Sequence, residues 1–100
     1  MARRLGLGAT AVLRALAGGH RYGFDIMEAT GLSSGSIYPA LDKLEAEGLA
    51  TATWEDEAIA RAEKRPSRKY FEITPAGRER LAVALDQYAF LTGTNDGGKS

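Results

Sequence analysis

Apolar residues recur at helical spacing three times in the first half of the chain. The first predicted helix spans about residues 8–17 and ends at a glycine pair. The second is short, at about residues 22–29, and the third runs from the serines at 33–36 to residue 47. A glycine follows each of these two helices and predicts its end. The third helix carries an i, i+4, i+7 stripe that predicts a buried face, formed by Ile37, Leu41 and Leu44.

The spacing of apolar residues changes after Gly48, and two short alternating segments predict strands. The segments are "LATATW" at 49–54 and "KYFEIT" at 69–74, and a polar stretch at 55–68 separates them. The simplest arrangement is an antiparallel pair joined by a long, flexible loop. Thr74 as N-cap and Pro75 as the first helical residue predict a fourth helix.

This order of elements predicts a winged helix-turn-helix. Three N-terminal helices are followed by a two-stranded β-wing and a C-terminal helix, so the fold class is α+β but mainly α. We expect residues 1–92 to form one domain. The segment 93–100 contains no apolar residue and is predicted to be a disordered tail.

The composition argues against a disulfide-linked protein, a thiolate metal protein and a membrane protein. The 100 residues are 44% hydrophobic, enough for one small core, and the absence of cysteine excludes disulfides and thiolate metal sites. No apolar run is long enough to span a membrane. The N-terminal arginines and the apolar stretch after them resemble a signal peptide, but Arg14 interrupts that stretch. We therefore expect a cytoplasmic protein with no membrane partner.

The net charge of zero argues at first against nucleic-acid binding, but the charges are unevenly distributed. The acidic run "EDE" occupies 55–57, and one acid accompanies five basic residues after it. This local cluster could bind phosphate, and it is equally typical of a solvated loop. Its basic residues are Arg61, Lys64, Arg65, Arg68 and Lys69.

The third helix has a small, polar outward face near its N-terminus, which suits insertion into a DNA major groove. With Ser33 as N-cap, which we favour over Ser36, Pro39 removes one helical hydrogen bond to Gly35. The serines can cap the helix or donate to phosphate oxygens. From these residues alone, an ordinary helix start explains the pattern equally well. The candidate DNA contacts on this helix are Ser33, Ser34, Ser36, Tyr38, Pro39 and Lys43.

Two stretches together resemble the PadR family of bacterial transcriptional regulators. They are "GLSSGSIYPALDKLEAEGLATATWEDE" and "SRKYFEITPAGRERL". The shared features are Tyr-Pro in the third helix, a Gly-Leu stop, a wing tryptophan, a basic strand and Thr-x-x-Gly. In this sequence they are Tyr38-Pro39, Gly48-Leu49, Trp54, Arg68-Lys69-Tyr70-Phe71 and Thr74-Pro75-Ala76-Gly77.

The resemblance implies a DNA-binding homodimer, in most cases a repressor, whose third helix is the recognition helix and whose wing cations touch the DNA backbone. Some proteins of this kind respond to phenolic or other aromatic effectors. Trp54 is a candidate effector contact, although a lone tryptophan at a strand end is usually a packing residue. The sequence departs from the family at Phe24, where a tyrosine is common, in the longer segment 55–68 and in its short C-terminal part.

The fourth helix is the candidate dimerisation element, because its apolar stripe has no evident partner in so small a fold. The stripe consists of Leu81, Leu85, Tyr88 and Leu91. A winged helix that binds a protein instead of specific DNA is the alternative, supported by the "EDE" run and the zero net charge. His20 has no partner at metal-ligand spacing, and no nucleophile–base pair is present. We expect no metal, no cofactor and no enzyme activity.

Overall fold

The computed structural model describes residues 4–89 and confirms the winged helix-turn-helix. The predictions for Leu91 and for a disordered tail at 93–100 lie outside the described residues. The elements in chain order are α1 Leu7–Ala17, α2 Gly23–Thr30, α3 Ser34–Ala46, β1 Ala50–Trp54, α4 Glu57–Ala62, β2 Lys69–Ile73 and α5 Pro75–Gln87.

The core lies between α1, α2, α3 and the base of the two-stranded sheet. The predicted stripe of α3 is fully buried there, and Val12 and Leu13 of α1 pack in the same cluster. Burial of these aliphatic side chains is the main stabilising term for so small a domain. The outward face of α3 is fixed by the same packing, because a helix that buries one stripe must expose the opposite one.

The two strands form an antiparallel ribbon with Ala50 opposite Ile73 and Trp54 opposite Lys69. Phe71 is buried beneath the ribbon, as the alternation predicted. Its N–H donates to the carbonyl of Arg21 at 2.7 Å, so β2 is also hydrogen-bonded on its second edge, to the segment before α2. The wing is therefore tied to the helix-turn-helix at its base.

The Thr-x-x-Gly motif fastens α5 to the end of α3. The Thr74 hydroxyl accepts from the N–H of Gly77 at 2.9 Å and donates to the carbonyl of Gly48 at 2.8 Å. A Cβ at Gly77 would collide with the Leu49 carbonyl oxygen, so only glycine permits this close approach. The predicted N-cap at Thr74 and first helical residue at Pro75 are confirmed.

The prediction of a long flexible loop at 55–68 is wrong, because this segment contains the short helix α4. Asp56 is its N-cap and its carboxylate accepts from the N–H of Ala58 at 2.8 Å. Ala60 is buried, and the chain leaves the helix through Lys64 at a positive φ of 59°. Alanine's helix propensity and the Asp cap outweighed the high local charge on which the loop prediction relied.

The premise that the α5 stripe has no partner within one protomer is also wrong. Leu81 and Ala84 are buried in the core of the same chain. The Tyr88 hydroxyl donates to the carbonyl of Leu5 at 2.8 Å, just before α1. Leu85, in contrast, is 40% exposed. In so small a domain the last helix is needed to complete the hydrophobic core, so most of its apolar stripe is buried within the protomer.

No helix within residues 4–89 combines the length and the apolar character that a membrane span requires.

Candidate nucleic-acid interface

The outward face of α3 is exposed along its first half and carries no aliphatic side chain. Ser33, Ser34, Gly35 and Ser36 lie at or near the helix start, and all four are exposed. Three positions of the next turns continue this face, namely Pro39, Asp42 and Lys43. Small residues at the start and hydrogen-bonding groups behind them allow close approach to a polar, grooved partner.

Ser33 is the N-cap of α3, as predicted, but its side chain makes no capping hydrogen bond. The first helical bonds are instead backbone bonds, from Ser36 N and Ile37 N to the carbonyl of Ser33 at 3.0 and 2.9 Å. The serine hydroxyls are therefore not used to close the helix. They and the positive end of the helix dipole face the solvent, a combination that favours phosphate.

Tyr38 lies between α3 and the start of α2, and 49% of it is exposed. A Cβ at Gly23 would collide with the Tyr38 hydroxyl, so the tyrosine ring covers this glycine. The absence of a side chain at Gly23 thus provides the space that the Tyr38 hydroxyl occupies. The hydroxyl end of Tyr38 therefore lies against the first residue of α2.

The basic strand of the wing lies beside α3. Lys69 Nζ is 3.4 Å from the Glu45 carboxylate of α3, and it also stands over the rings of Trp54 and Phe71. The Arg68 guanidinium stacks 4.1 Å from the ring centroid of Tyr22, the N-cap residue of α2. These contacts join the α3 face and the base of the wing into one continuous surface.

The remaining wing cations differ in how far their charge is neutralised. Arg61 forms a loose, fully exposed pair with Glu57 at 3.8 Å, which binds it weakly. Lys64 is exposed at the end of α4. Among the candidate DNA contacts in the described part of the chain, Lys43, Lys64 and Arg68 form no ion pair, so less of their charge is neutralised than that of Arg61, Arg65 and Lys69.

Arg65 forms a paired fork with Glu55 instead of pointing freely outward. Its Nη1 and Nη2 donate to the two carboxylate oxygens at 2.6 and 2.8 Å, and the Glu55 side chain is only 6% exposed. The hydrogen bonds from Arg65 lower the pKa of the Glu55 carboxyl from 4.5 to about 2, although burial opposes the shift. The pairing with Glu55 correspondingly raises the pKa of the Arg65 guanidinium.

An open cleft of about 660 Å³ lies between α2, α3 and the wing. Trp54, at the end of β1, lines it and is 64% exposed. Arg68, Lys69 and Asp42 supply polar groups at its edge. The other aromatic lining residues are Tyr22, Phe24, Tyr38 and Phe71.

The sequence analysis did not identify Tyr22, Phe24 and Glu55 as parts of this surface. Tyr22 and Phe24 belong to α2 and come near the wing only through the tertiary fold. Glu55 had a usable signal, because it is the first residue after β1 and the strand register places it opposite Arg68. Its acidic run instead supported the alternative prediction of a protein-binding winged helix.

His20 lies close to one acidic side chain. Its Nδ1 lies 3.1 Å from a carboxylate oxygen of Asp25, a single partner that the spacing analysis missed. Among residues 4–89, no cluster of three or more His, Asp and Glu side chains could hold a metal ion.

Comparison with known proteins agrees with this architecture. Residues 12–83 match the model of the transcriptional regulator PadR-like family. A PadR family transcription regulator from Clostridium difficile R20291 is 22% identical, with a TM-score of 0.72 over 88% of this chain and 93% of its own. No curated protein matches the chain.

Two further solved structures extend the comparison. A PadR-like transcriptional regulator from Bacillus cereus is 26% identical, with a TM-score of 0.65 over 86% of this chain and 84% of its own. BpsR of Bordetella bronchiseptica, whose DNA binding is regulated by 6-hydroxynicotinic acid, is 21% identical. Its TM-score is 0.72 over 97% of this chain and 69% of its own.

The family model covers most of the chain, and it covers α3, the wing and the first part of α5. The tertiary fold is that of solved PadR-like proteins. The chain therefore belongs to the PadR-like family of transcriptional regulators, which are DNA-binding proteins and not enzymes.

Proposed function

We propose that this chain binds a specific operator as a homodimer, with α3 in the DNA major groove and the wing on the adjacent backbone. The observation that carries the proposal is the joined surface of α3 and wing. It places a small, polar helix start beside Arg68, which forms no ion pair, and Lys69, whose partner Glu45 belongs to α3 itself. Major-groove recognition needs close approach and directional hydrogen bonds, and this surface offers both.

The residues divide into two roles. Groove contacts come from α3, where Ser36 and Tyr38 present hydroxyls and Asp42 presents an acceptor that suits the cytosine amino group. Pro39 has a compact side chain and allows close approach of the helix beside them. Phosphate contacts come from both elements, through Ser33, Ser34, Lys43, Arg61, Lys64, Arg68 and Lys69.

The proposed homodimer determines the spacing of the two half-sites in the operator. Two recognition helices related by a two-fold axis would enter successive major grooves about 34 Å apart, on a pseudo-palindromic site. The exposed Leu85 of α5 is the apolar side chain that we assign to the dimer interface, next to the stripe that closes the core. The regulators that the sequence resembles are mostly repressors, and we propose that this protein is also a repressor.

Substitution of Lys43 tests the role of α3. Lys43→Gln should weaken binding to specific and scrambled duplexes alike and reduce the salt slope of log K by about 1 for each protomer. Arg14→Gln is the matched control, because Arg14 is exposed on α1 outside the proposed surface. Equal affinities for the two variants and the wild type would exclude this face as the DNA contact. A wild-type protein that binds no DNA would favour the protein-interaction alternative.

We also propose that the cleft beside Trp54 binds a small aromatic acid. Five aromatic side chains line the cleft, and Arg68 and Lys69 stand at its edge to meet a carboxylate. The regulation of BpsR by 6-hydroxynicotinic acid shows that a protein of this fold can respond to such a compound. Because α3 and the wing both contribute to the cleft, an occupant would compete with DNA.

Trp54 is the only tryptophan of the chain, so its fluorescence reports on this cleft. Titration with 6-hydroxynicotinic acid should change its emission saturably and release bound DNA. Phe24→Ala removes an exposed lining residue and should weaken this response, whereas Leu7→Ala, equally exposed on α1, should not. A linear, unsaturated change that is the same in all three proteins would contradict the proposal.

A further inference from the structure

The Glu55 carboxylate accepts hydrogen bonds from three residues of the wing. Besides the two bonds from Arg65, its carboxylate accepts the N–H of Arg68 at 3.2 Å and the hydroxyl of Tyr70 at 3.4 Å. Its own N–H donates to the carbonyl of Arg68 at 2.7 Å. One carboxylate therefore connects the end of β1, the segment after α4 and the start of β2.

Arg65 is the second half of this arrangement. Its Nε also donates to Glu63 at 3.1 Å, and its side chain is 20% exposed. A planar guanidinium that makes a bidentate contact is held in orientation as well as in position. Since its donors are directed to two carboxylates, the group is poorly placed to reach a phosphate.

The residue that these contacts hold in place is Arg68. Its backbone N–H and C=O are both hydrogen-bonded to Glu55, and its guanidinium lies over the ring of Tyr22 at the start of α2. A cation that is already ordered loses less conformational entropy when it meets DNA. The acidic residue thus supports a basic surface, although its charge opposes DNA binding.

We propose that Glu55 and Arg65 form a positioning pair that orders Arg68 for the DNA backbone, and that Arg65 itself does not contact phosphate. This inference rests on the proposed function, since it needs DNA as the partner of Arg68. It assigns to Glu55 a role in DNA binding that is opposite to the simple effect of its charge.

Glu55→Gln separates the two roles of Arg65, because they predict changes of opposite sign. If Arg65 bound phosphate, loss of the Glu55 charge would release its guanidinium and strengthen DNA binding. If the pair positions Arg68, the affinity should fall about tenfold, the order of one lost charged hydrogen bond. Glu57→Gln removes an exposed carboxylate of α4 and is the matched control, for which the affinity should stay equal or rise slightly.

A second readout detects the pair without DNA. The amide of Arg68 should lose hydrogen-exchange protection in Glu55→Gln and keep it in Glu57→Gln. Should Glu55→Gln lower the folded fraction, Arg65→Lys keeps the charge and loses the bidentate fork; weakened DNA binding is then the expected result. Wild-type affinity in either pair variant would overturn the inference, whereas a wild-type protein that binds no DNA would overturn the proposed function itself.

Discussion

Individual glycines in this protein mark places where two elements touch. Gly77 faces backbone, the Leu49 carbonyl, whereas Gly23 faces only the flexible end of Tyr38. A backbone neighbour cannot move without disturbing the junction of α3, β1 and α5. The glycine of the Thr-x-x-Gly motif is therefore a packing requirement of the fold.

Gly77→Ala should lower the free energy of unfolding by about 1–3 kcal/mol, the usual cost of overpacking a tight contact. Gly8→Ala is the control, because a Cβ at Gly8 of α1 meets nothing within 4 Å. It should stabilise the helix by about 0.5–1 kcal/mol. Urea denaturation measures both variants, and equal stabilities would contradict the close approach at Leu49.

The ion pair at Glu55 predicts a specific pH dependence of stability. The pKa of its carboxyl is lowered to about 2 in the folded chain from 4.5, so the folded state favours the ionised form. Its contribution is fully present above pH 4.5 and is lost as the pH falls toward 2. The difference in urea midpoint between wild type and Glu55→Gln should therefore shrink over that range. A difference that grows on acidification would contradict the pairing.

At the scale of elements, α5 has two surfaces with different roles. Leu81 and Ala84 close the core, and Leu85 and Val83 are exposed at 40% and 54%. Leu85 lies four residues after Leu81 and so continues the apolar side of the helix, whereas Val83 lies nearly opposite. Only the Leu85 side is continuous with the core stripe.

Leu85→Asp should convert the proposed dimer to a monomer, because it places a charge in the assigned interface. Val83→Asp is an equivalent change on the opposite side of α5 and should leave the dimer intact. Light scattering gives the solution mass of each variant. A wild-type dimer that survives Leu85→Asp would exclude α5 as the dimer interface through this residue.

The elements that the sequence predicted best have both a periodic apolar stripe and a residue that marks where the element starts or ends. The stripe of α3 with its Gly48 stop and the Thr74-Pro75 start of α5 are examples. The helix α4 was missed because its alanines lie among charges, and its cap Asp56 was counted as part of an acidic run. The Glu55–Arg65 pair depends on a turn that brings residues ten positions apart together, which periodicity does not describe.

For the whole molecule, a net charge of zero is compatible with DNA binding because acids and bases are paired unequally. Away from the proposed surface, part of the charge is neutralised in ion pairs, such as that of Arg80 with Glu47. On the proposed surface, Lys43, Lys64 and Arg68 form no ion pair within the part of the chain described. Arg61 and Lys69 are already paired with carboxylates, so only these three cations of each protomer are counted, and they give a dimer a salt slope of about −5 in log K.

The most direct test is fluorescence anisotropy of the purified protein with the DNA upstream of its own gene and with a scrambled duplex, at two salt concentrations. We predict saturable binding that prefers the upstream DNA and weakens with salt at about the slope given above. Equal, weak binding to both duplexes would reduce the surface to a non-specific basic patch or place the operator elsewhere. Absence of binding at low salt would contradict DNA recognition by α3 and the wing.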